Sequence, residues 1–351
     1  MARASRLLLG GIAVGAAAAV GAHAARVRAA TAAVDPQYRT PWLLVPDAAI
    51  GARIVALSRR MRAKAAPIAD GVVAEGRLVA GRDGRRVPVW VYEPERTGER
   101  PLPVLLYVHG GGFVLGDPVT YHDRCSSLAA DLGIRVVSVD YRLAPEDPFP
   151  AALDDCVDVL RWIHASAHAE GVDGTRVAVG GDSAGGGLAA CAVQAGVDEG
   201  LPIAFQLLLY PMLDDRTVTR EDHAGTGRFV WSTGSNRHGW TSYLGVAPGG
   251  DAVPPYAVAA RREGLAGLPP TWIGVGALDL FVEEDIVYAR RLRDAGVDVT
   301  LVEVPGAFHA FERIVPDAPG SRIFERRMRA ALRAALGLPQ QRGRRGVGGA
   351  V

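Results

Sequence analysis

An α/β architecture, a mostly parallel sheet with helices on both faces, is predicted by three features of this sequence. Short apolar runs recur at 104–108, 136–139, 177–179, 205–210, 272–275 and 300–304. Unbroken apolarity over so few residues means burial on both faces, which marks the inner strands of a parallel sheet. Helical patterns at 154–167, 186–197 and 284–295 separate the runs, giving strand-helix-strand repetition. Finally, the 351 residues are 49% apolar and 22% charged, enough to bury a large core and too apolar for a disordered chain.

Taken in order, the elements begin with a segment that carries its own message. Arg3 and Arg6 precede an uncharged run over 7–22, closed by Ala22-His23-Ala24. A basic start, an apolar stretch and a small-x-small site form the layout of a secretory signal or N-terminal anchor. An Ala-rich N-terminal helix on a cytosolic protein fits the same letters. Residues 35–66 read as two amphipathic helices, punctuated early by Pro36, Pro41 and Pro46 and continued by Ile54, Leu57 and Met61 at helical spacing. Alternation over 77–92 around Gly81-Arg82-Asp83-Gly84 predicts a β-hairpin. Between 213 and 251 no buried strand is evident, while Phe229, Trp231, Trp240 and Tyr243 lie among polar residues and glycines. So long a gap in an α/β domain reads as a lid or a functional insertion. The Gly-rich tail with Arg342, Arg344 and Arg345 reads as disordered.

Composition excludes several classes of function. Lys+Arg 39 against Asp+Glu 38 leaves a net charge of +1 and no basic stripe, so nucleic acid is not an expected partner. Cys125, Cys156 and Cys191 lack the paired spacing of a zinc or CxxC site and read as buried small side chains. A Cys125–Cys156 disulfide stays open for an exported chain. Asp214-Asp215 has no His or Glu set nearby and reads as the start of the insertion, not a metal site.

The chemistry concentrates in two motifs. Gly181-Asp182-Ser183-Ala184-Gly185 follows the run at 177–179 and precedes a helix. In that context a serine sits on a strained strand-to-helix turn, relieved by glycines two residues away on either side. Its hydroxyl is presented at the sheet edge, with a helix N-terminus favouring negative charge behind it. The second motif, His109-Gly110-Gly111-Gly112-Phe113, ends the run at 104–108. Consecutive glycines let backbone N–H groups converge on one point, and each such donor is worth about 3–4 kcal/mol to an acyl-transfer oxyanion. Gly111, Gly112 and Ala184 are the expected donors, with His109 and Gly110 bracing the loop. Asp182 reads as a structural hydrogen bonder.

His109 to Gly116, Asp140-Tyr141-Arg142-Leu143-Ala144-Pro145-Glu146, Gly181 to Gly186 and Pro305-Gly306-Ala307-Phe308-His309 resemble the hormone-sensitive-lipase-like family of bacterial carboxylesterases, in its G-D-S-A-G branch. The similarity runs from about Val72 to about Leu336, with four motifs in the family's order. It implies an α/β-hydrolase core, a helical cap, no cofactor and hydrolysis of short- to medium-chain esters. Arg142, Pro145 and Glu146 belong to a motif expected to fix a loop below the site. Gly187 stands where the family often has Asn, and Leu280 where it often has Pro. The chain then divides into a signal-like or anchor segment at 1–34, N-terminal cap helices at 35–71, a core at 72–338 with a cap insertion at about 213–251, and a tail at 339–351.

The remaining reacting groups follow from chain order. His309 lies on a loop after the run at 300–304, whereas His23, His122, His164, His168, His223 and His238 lie in the leading segment, on helices or in the insertion. Asp279 follows the run at 272–275, matches the family's acid and would orient the imidazole. Its rivals Glu283, Glu284 and Asp285 fall at the opening of the next helix, where the macrodipole favours acids anyway. The expected protein is a serine carboxylesterase acting on a small-molecule ester, touching a membrane only through its N-terminal segment and holding no metal. Amide, peptide or lactone hydrolysis on the same triad, or a non-catalytic ligand-binding role, are the alternatives.

Overall fold

The computed structural model describes residues 31–44, 50–60, 64–95 and 101–339, together with residues 21, 25 and 29. Most of the signal-like segment, Met61, and the tail from 340 lie outside the described residues. Strands β1 (Val72–Ala80) and β2 (Arg86–Pro94) form the expected hairpin. They are followed by β3 (Leu102–Val108), β4 (Arg135–Val139), β5 (Val172–Asp182), β6 (Phe205–Leu209), β7 (Thr271–Gly276) and β8 (Val299–Val304). All eight join one sheet in the order β1-β2-β4-β3-β5-β6-β7-β8. The hairpin is antiparallel, β2 meets β4 antiparallel, and every later pairing is parallel.

Each predicted inner strand is present because its side chains are needed on both faces. On β3, Val104, Leu106 and Val108 pack into one core, while Leu105 and Tyr107 pack into the other. Helices α1 (Ala52–Arg60), α2 (His122–Leu132), α3 (Ala151–Ala165), α4 (Ala184–Asp198), α5 (Thr233–Leu244), α6 (Val282–Asp294) and α7 (Pro319–Ala335) surround the sheet. Buried residues of α3, α4 and α6 join the first core, and those of α2 and α7 join the second. The cysteines divide the same way: Cys125 belongs to one face, Cys156 and Cys191 to the other, and all three are free and buried. The sheet therefore separates Cys125 from Cys156, and no disulfide joins them.

The segment before the hairpin differs from the expected pair of amphipathic helices. Among the described residues of 35–66, Pro36–Tyr38 and Pro41–Leu44 form two 3-10 turns, and only Ala52–Arg60 is α-helical. Proline removes an N–H donor and disfavours α-conformation before it, so closely spaced prolines break the first helix. Within α1 the expected apolar face is also wrong. Leu57 is 60% exposed and Ile54 36%, whereas Val55 is buried. Polar bonds hold this segment instead: the Ile50 N–H donates to Ser235 Oγ at 2.8 Å, and Arg59 donates to the carbonyls of Val114 at 3.0 Å and Ala144 at 2.7 Å.

Between β6 and β7 the chain forms a 3-10 turn at Asp215–Thr219 and then α5, and Phe229, Trp231, Trp240 and Tyr243 are all buried. Tyr243 stacks on Phe113 with centroids 4.2 Å apart, tying α5 to the glycine loop. Asp214 caps the turn, and Asp215 is a buried partner of Arg261 at 2.8 Å. Among the described residues no group of three or more His, Cys, Asp or Glu gathers to hold a metal.

Glu284 anchors the base of this insertion to α6. Its Oε1 accepts the N–H groups of Leu213 at 2.7 Å and Asp214 at 3.2 Å, and Oε2 meets the Thr217 hydroxyl. Burial pushes the Glu284 carboxyl up to about 8 and holds Asp285 beside it well above the ordinary carboxylate range. Both groups hold a proton more tightly in the fold than in the unfolded chain, so their stabilisation is complete at low pH, and the Glu284 share is lost as pH rises through about 8. Glu284→Gln keeps the acceptor oxygen and removes one ionisation. Thermal melts from about pH 5 to pH 8 should show a smaller loss of Tm for this variant than for the wild type. Equal slopes would contradict a neutral buried Glu284.

Candidate active site

Ser183 occupies the single residue between β5 and α4. Its backbone has φ 56° and ψ −124°, a region L-residues avoid. The turn exists because its neighbours leave no alternative. A Cβ on Gly181 would lie 2.4 Å from the Val108 carbonyl oxygen, and one on Gly185 2.2 Å from the carbonyl oxygens of Val108 and His109. Three backbone bonds pin the serine itself: its N–H donates to Leu209 at 2.9 Å, and its carbonyl accepts from Gly187 at 3.0 Å and Met212 at 2.9 Å. Strain of about 1–3 kcal/mol is held in place by these contacts.

The structure brings Ser183, His309 and Asp279 together from three strand ends. His309 Nε2 lies 3.0 Å from Ser183 Oγ, and His309 Nδ1 lies 2.7 Å from Asp279 Oδ2. An ionised carboxylate only accepts, so Nδ1 carries the proton and Nε2 is free to accept from the serine hydroxyl. Asp279 is fully buried, and its other oxygen accepts the Phe281 N–H at 3.0 Å. Ser183 and His309 are 6% and 4% exposed. Such a chain can move a proton from hydroxyl to imidazole while the carboxylate stabilises the imidazolium.

The glycine loop faces the same point. Gly111 and Gly112 have φ 130° and 62°, and neither N–H meets an acceptor among the described residues. Ala184 opens α4, and the first N–H groups of a helix have no partner within it. A Cβ on Gly112 would fall 2.1 Å from Trp231 Cη2, so the indole is packed directly on this loop. The Trp231 ring also lies 6.4 Å from that of His309.

The supporting residues fall where the motifs placed them. His109 stacks on Tyr141 at 4.3 Å and its Nδ1 bonds the Gly110 carbonyl at 2.8 Å; burial lowers its pKa, which favours a neutral brace. Asp182 accepts from Tyr107 at 2.9 Å and from Tyr121 at 2.8 Å. Arg142 forks onto Asp155, and Glu146 pairs with Arg59. Of the rival acids, Glu283 pairs with Arg220 at the surface, Glu284 holds the insertion, and the Asp285 carboxyl oxygens bond none of the described residues. At the two departures from the family pattern, a side chain on Gly187 would strike the Met212 carbonyl at 2.1 Å, and Leu280 is buried in the core. Sequence reasoning missed Tyr121, whose hydroxyl accepts the Gly110 N–H at 3.2 Å, and Tyr210, which stands edge-on to His309 at 4.8 Å. Only their adjacency to motif residues hinted at either.

Comparison with known proteins agrees with this geometry. A family profile described as an alpha/beta hydrolase fold matches residues 105–313. Esterase LipI of Mycobacterium tuberculosis is 36% identical over 260 residues, covering 73% of this chain and 79% of its own. Ethyl acetate hydrolase of Pseudomonas putida is 32% identical over 236 residues, covering 66% and 74%. Among solved structures, a bacterial heroin esterase superposes with a TM-score of 0.80 at 36% identity, covering 87% of this chain and 99% of the other. With the sheet order, the serine turn and these relatives in agreement, the chain belongs to the α/β-hydrolase-fold family, in its hormone-sensitive-lipase-like carboxylesterase branch.

Proposed function

We propose that this protein is a serine carboxylesterase in which Ser183 is the nucleophile, His309 the base and Asp279 the acid. One observation carries the reading: the unbroken hydrogen-bonded chain from Ser183 Oγ through His309 to Asp279, starting at a backbone with φ 56°. Ser183 attacks the ester carbonyl as Nε2 takes its proton, forming a tetrahedral intermediate. Its oxyanion is held by the N–H groups of Gly111, Gly112 and Ala184. His309 then protonates the departing alkoxide. Water, activated by the same imidazole, releases the acid from the acyl-enzyme. The esterase and ester-hydrolase names of the relatives support ester over amide, peptide or lactone chemistry.

Residues 35–71 and 213–251 are read together as a cap over a core of 72–338. The buried aromatics of the insertion and the Ile50–Ser235 bond support this division. Trp231 against Gly112 makes the cap one wall of the acyl site. The substrate is then a small ester, since each acyl methylene gains about 0.8 kcal/mol only while the enclosure has room.

Three outcomes follow. A fluorophosphonate probe should label the folded protein at Ser183, mapped by peptide mass spectrometry; labelling elsewhere would reject the nucleophile. Gly112→Ala should lower kcat by about 100-fold or more, the cost of losing one oxyanion donor. Adding Trp231→Ala should recover part of that loss by removing the steric conflict, and no recovery would mean the indole does not set the loop. Rates on p-nitrophenyl esters should peak at about four to eight acyl carbons. A preference for sixteen-carbon chains with interfacial activation would contradict the closed cap.

A further inference from the structure

The Tyr210 ring that stands against His309 ends in a charged cluster that the reaction above does not use. Arg124, on α2, has a side chain only 5% exposed. Its Nη2 donates to Glu312 Oε1 at 2.9 Å and forms an ion pair with Glu325 Oε1 at 2.8 Å. The Glu312 side chain is fully buried, and its Oε1 also accepts the Tyr210 hydroxyl at 2.6 Å. Glu312 follows His309 by three residues, across Ala310 at φ 56°. Tyr210, at the end of β6, is itself left-handed at φ 35°, and its N–H donates to the Gly274 carbonyl at 2.6 Å.

The Tyr210 ring is therefore held from both ends, with its edge-on contact to the imidazole at 4.8 Å and 68° lying between backbone and hydroxyl. We propose that Glu312 is a positioning residue: through its bond to the Tyr210 hydroxyl it fixes the aromatic wall that keeps His309 aimed at Ser183. The Asp279 bond fixes one nitrogen of the imidazole and leaves the ring free to swing about that bond. Phe281 at 5.4 Å bounds the swing on one side and Tyr210 on another. Arg124 holds Glu312 in place through their ion pair.

Stability alone does not account for the cluster. Well-packed apolar side chains in place of a buried ion pair are commonly neutral or stabilising, whereas a buried phenol needs a directional acceptor. Both Arg124 and Tyr210 converge on one oxygen of Glu312, while Glu325 pairs with Arg124 and Arg329 and meets no aromatic hydroxyl among the described residues. That asymmetry separates a clamp on His309 from general charge balance.

The inference rests on the esterase reading, and the full-length chain with p-nitrophenyl acetate tests it. Tyr210→Phe removes one hydroxyl and keeps the ring. Glu312→Gln keeps the shape and removes the charge. Each should lower kcat about tenfold or more, with KM within about twofold, because misplacing a reacting group by about 1 Å costs up to about 100-fold. The double variant should be little worse than either single, since both act through one contact. Glu325→Gln should leave kcat unchanged. Wild-type kcat in Tyr210→Phe would overturn the proposal, even if Glu312→Gln failed to fold. So would a loss in Glu325→Gln equal to that in Glu312→Gln. A wild type without ester turnover would reject the esterase reading itself, and this inference with it.

Discussion

The left-handed backbone of Ser183 is the constraint on which the rest of the structure depends. A residue at φ 56° reverts to an ordinary conformation unless its surroundings forbid it. Here β5 fixes the chain before it and α4 the chain after it. Gly181 and Gly185 admit the carbonyls of Val108 and His109 at distances no side chain would tolerate. The parallel order of the inner strands matters for the same reason. It delivers the loops bearing Gly111, Ser183, Asp279 and His309 to one sheet edge, although they are far apart in sequence.

A second layer of contacts converts that edge into an enclosed site. Trp231 closes over Gly112, Tyr243 stacks on Phe113, and Glu284 ties the start of the insertion to the helix that follows Asp279. The acid loop, the glycine loop and the insertion therefore share neighbours, so a displacement in one reaches the others. Below the site the contacts turn polar. Asp182 takes two tyrosine hydroxyls, and Glu312 takes an arginine and a third tyrosine. Both of these buried carboxyl groups hold an aromatic side chain in place through its hydroxyl.

Much of this was legible in the sequence, for identifiable reasons. The inner strands are buried on both faces and so announce themselves as predominantly apolar runs. The hairpin has one wetter face and so alternates. Ser183, Asp279 and His309 could be picked out as candidates because each follows a strand in fixed chain order, and the structure brings the three side chains together. Helix α1 misled because polar bonds at its ends hold it, which leaves Ile54 and Leu57 outward and spacing without meaning. The Arg124–Glu312 pair was invisible for another reason. Its members are 188 residues apart, and no local pattern marks two charges that meet only after the sheet has formed.

The central claim is that a strained serine, three backbone N–H groups and one imidazole form a single preassembled site. A crystal structure of the protein inhibited by a small alkyl fluorophosphonate tests it most directly. The account predicts phosphorus bonded to Ser183 Oγ with the serine still left-handed. It also predicts a phosphoryl oxygen about 3 Å from the nitrogens of Gly111, Gly112 and Ala184. A phosphoryl oxygen turned away from those three groups, or a Ser183 relaxed to negative φ, would contradict it.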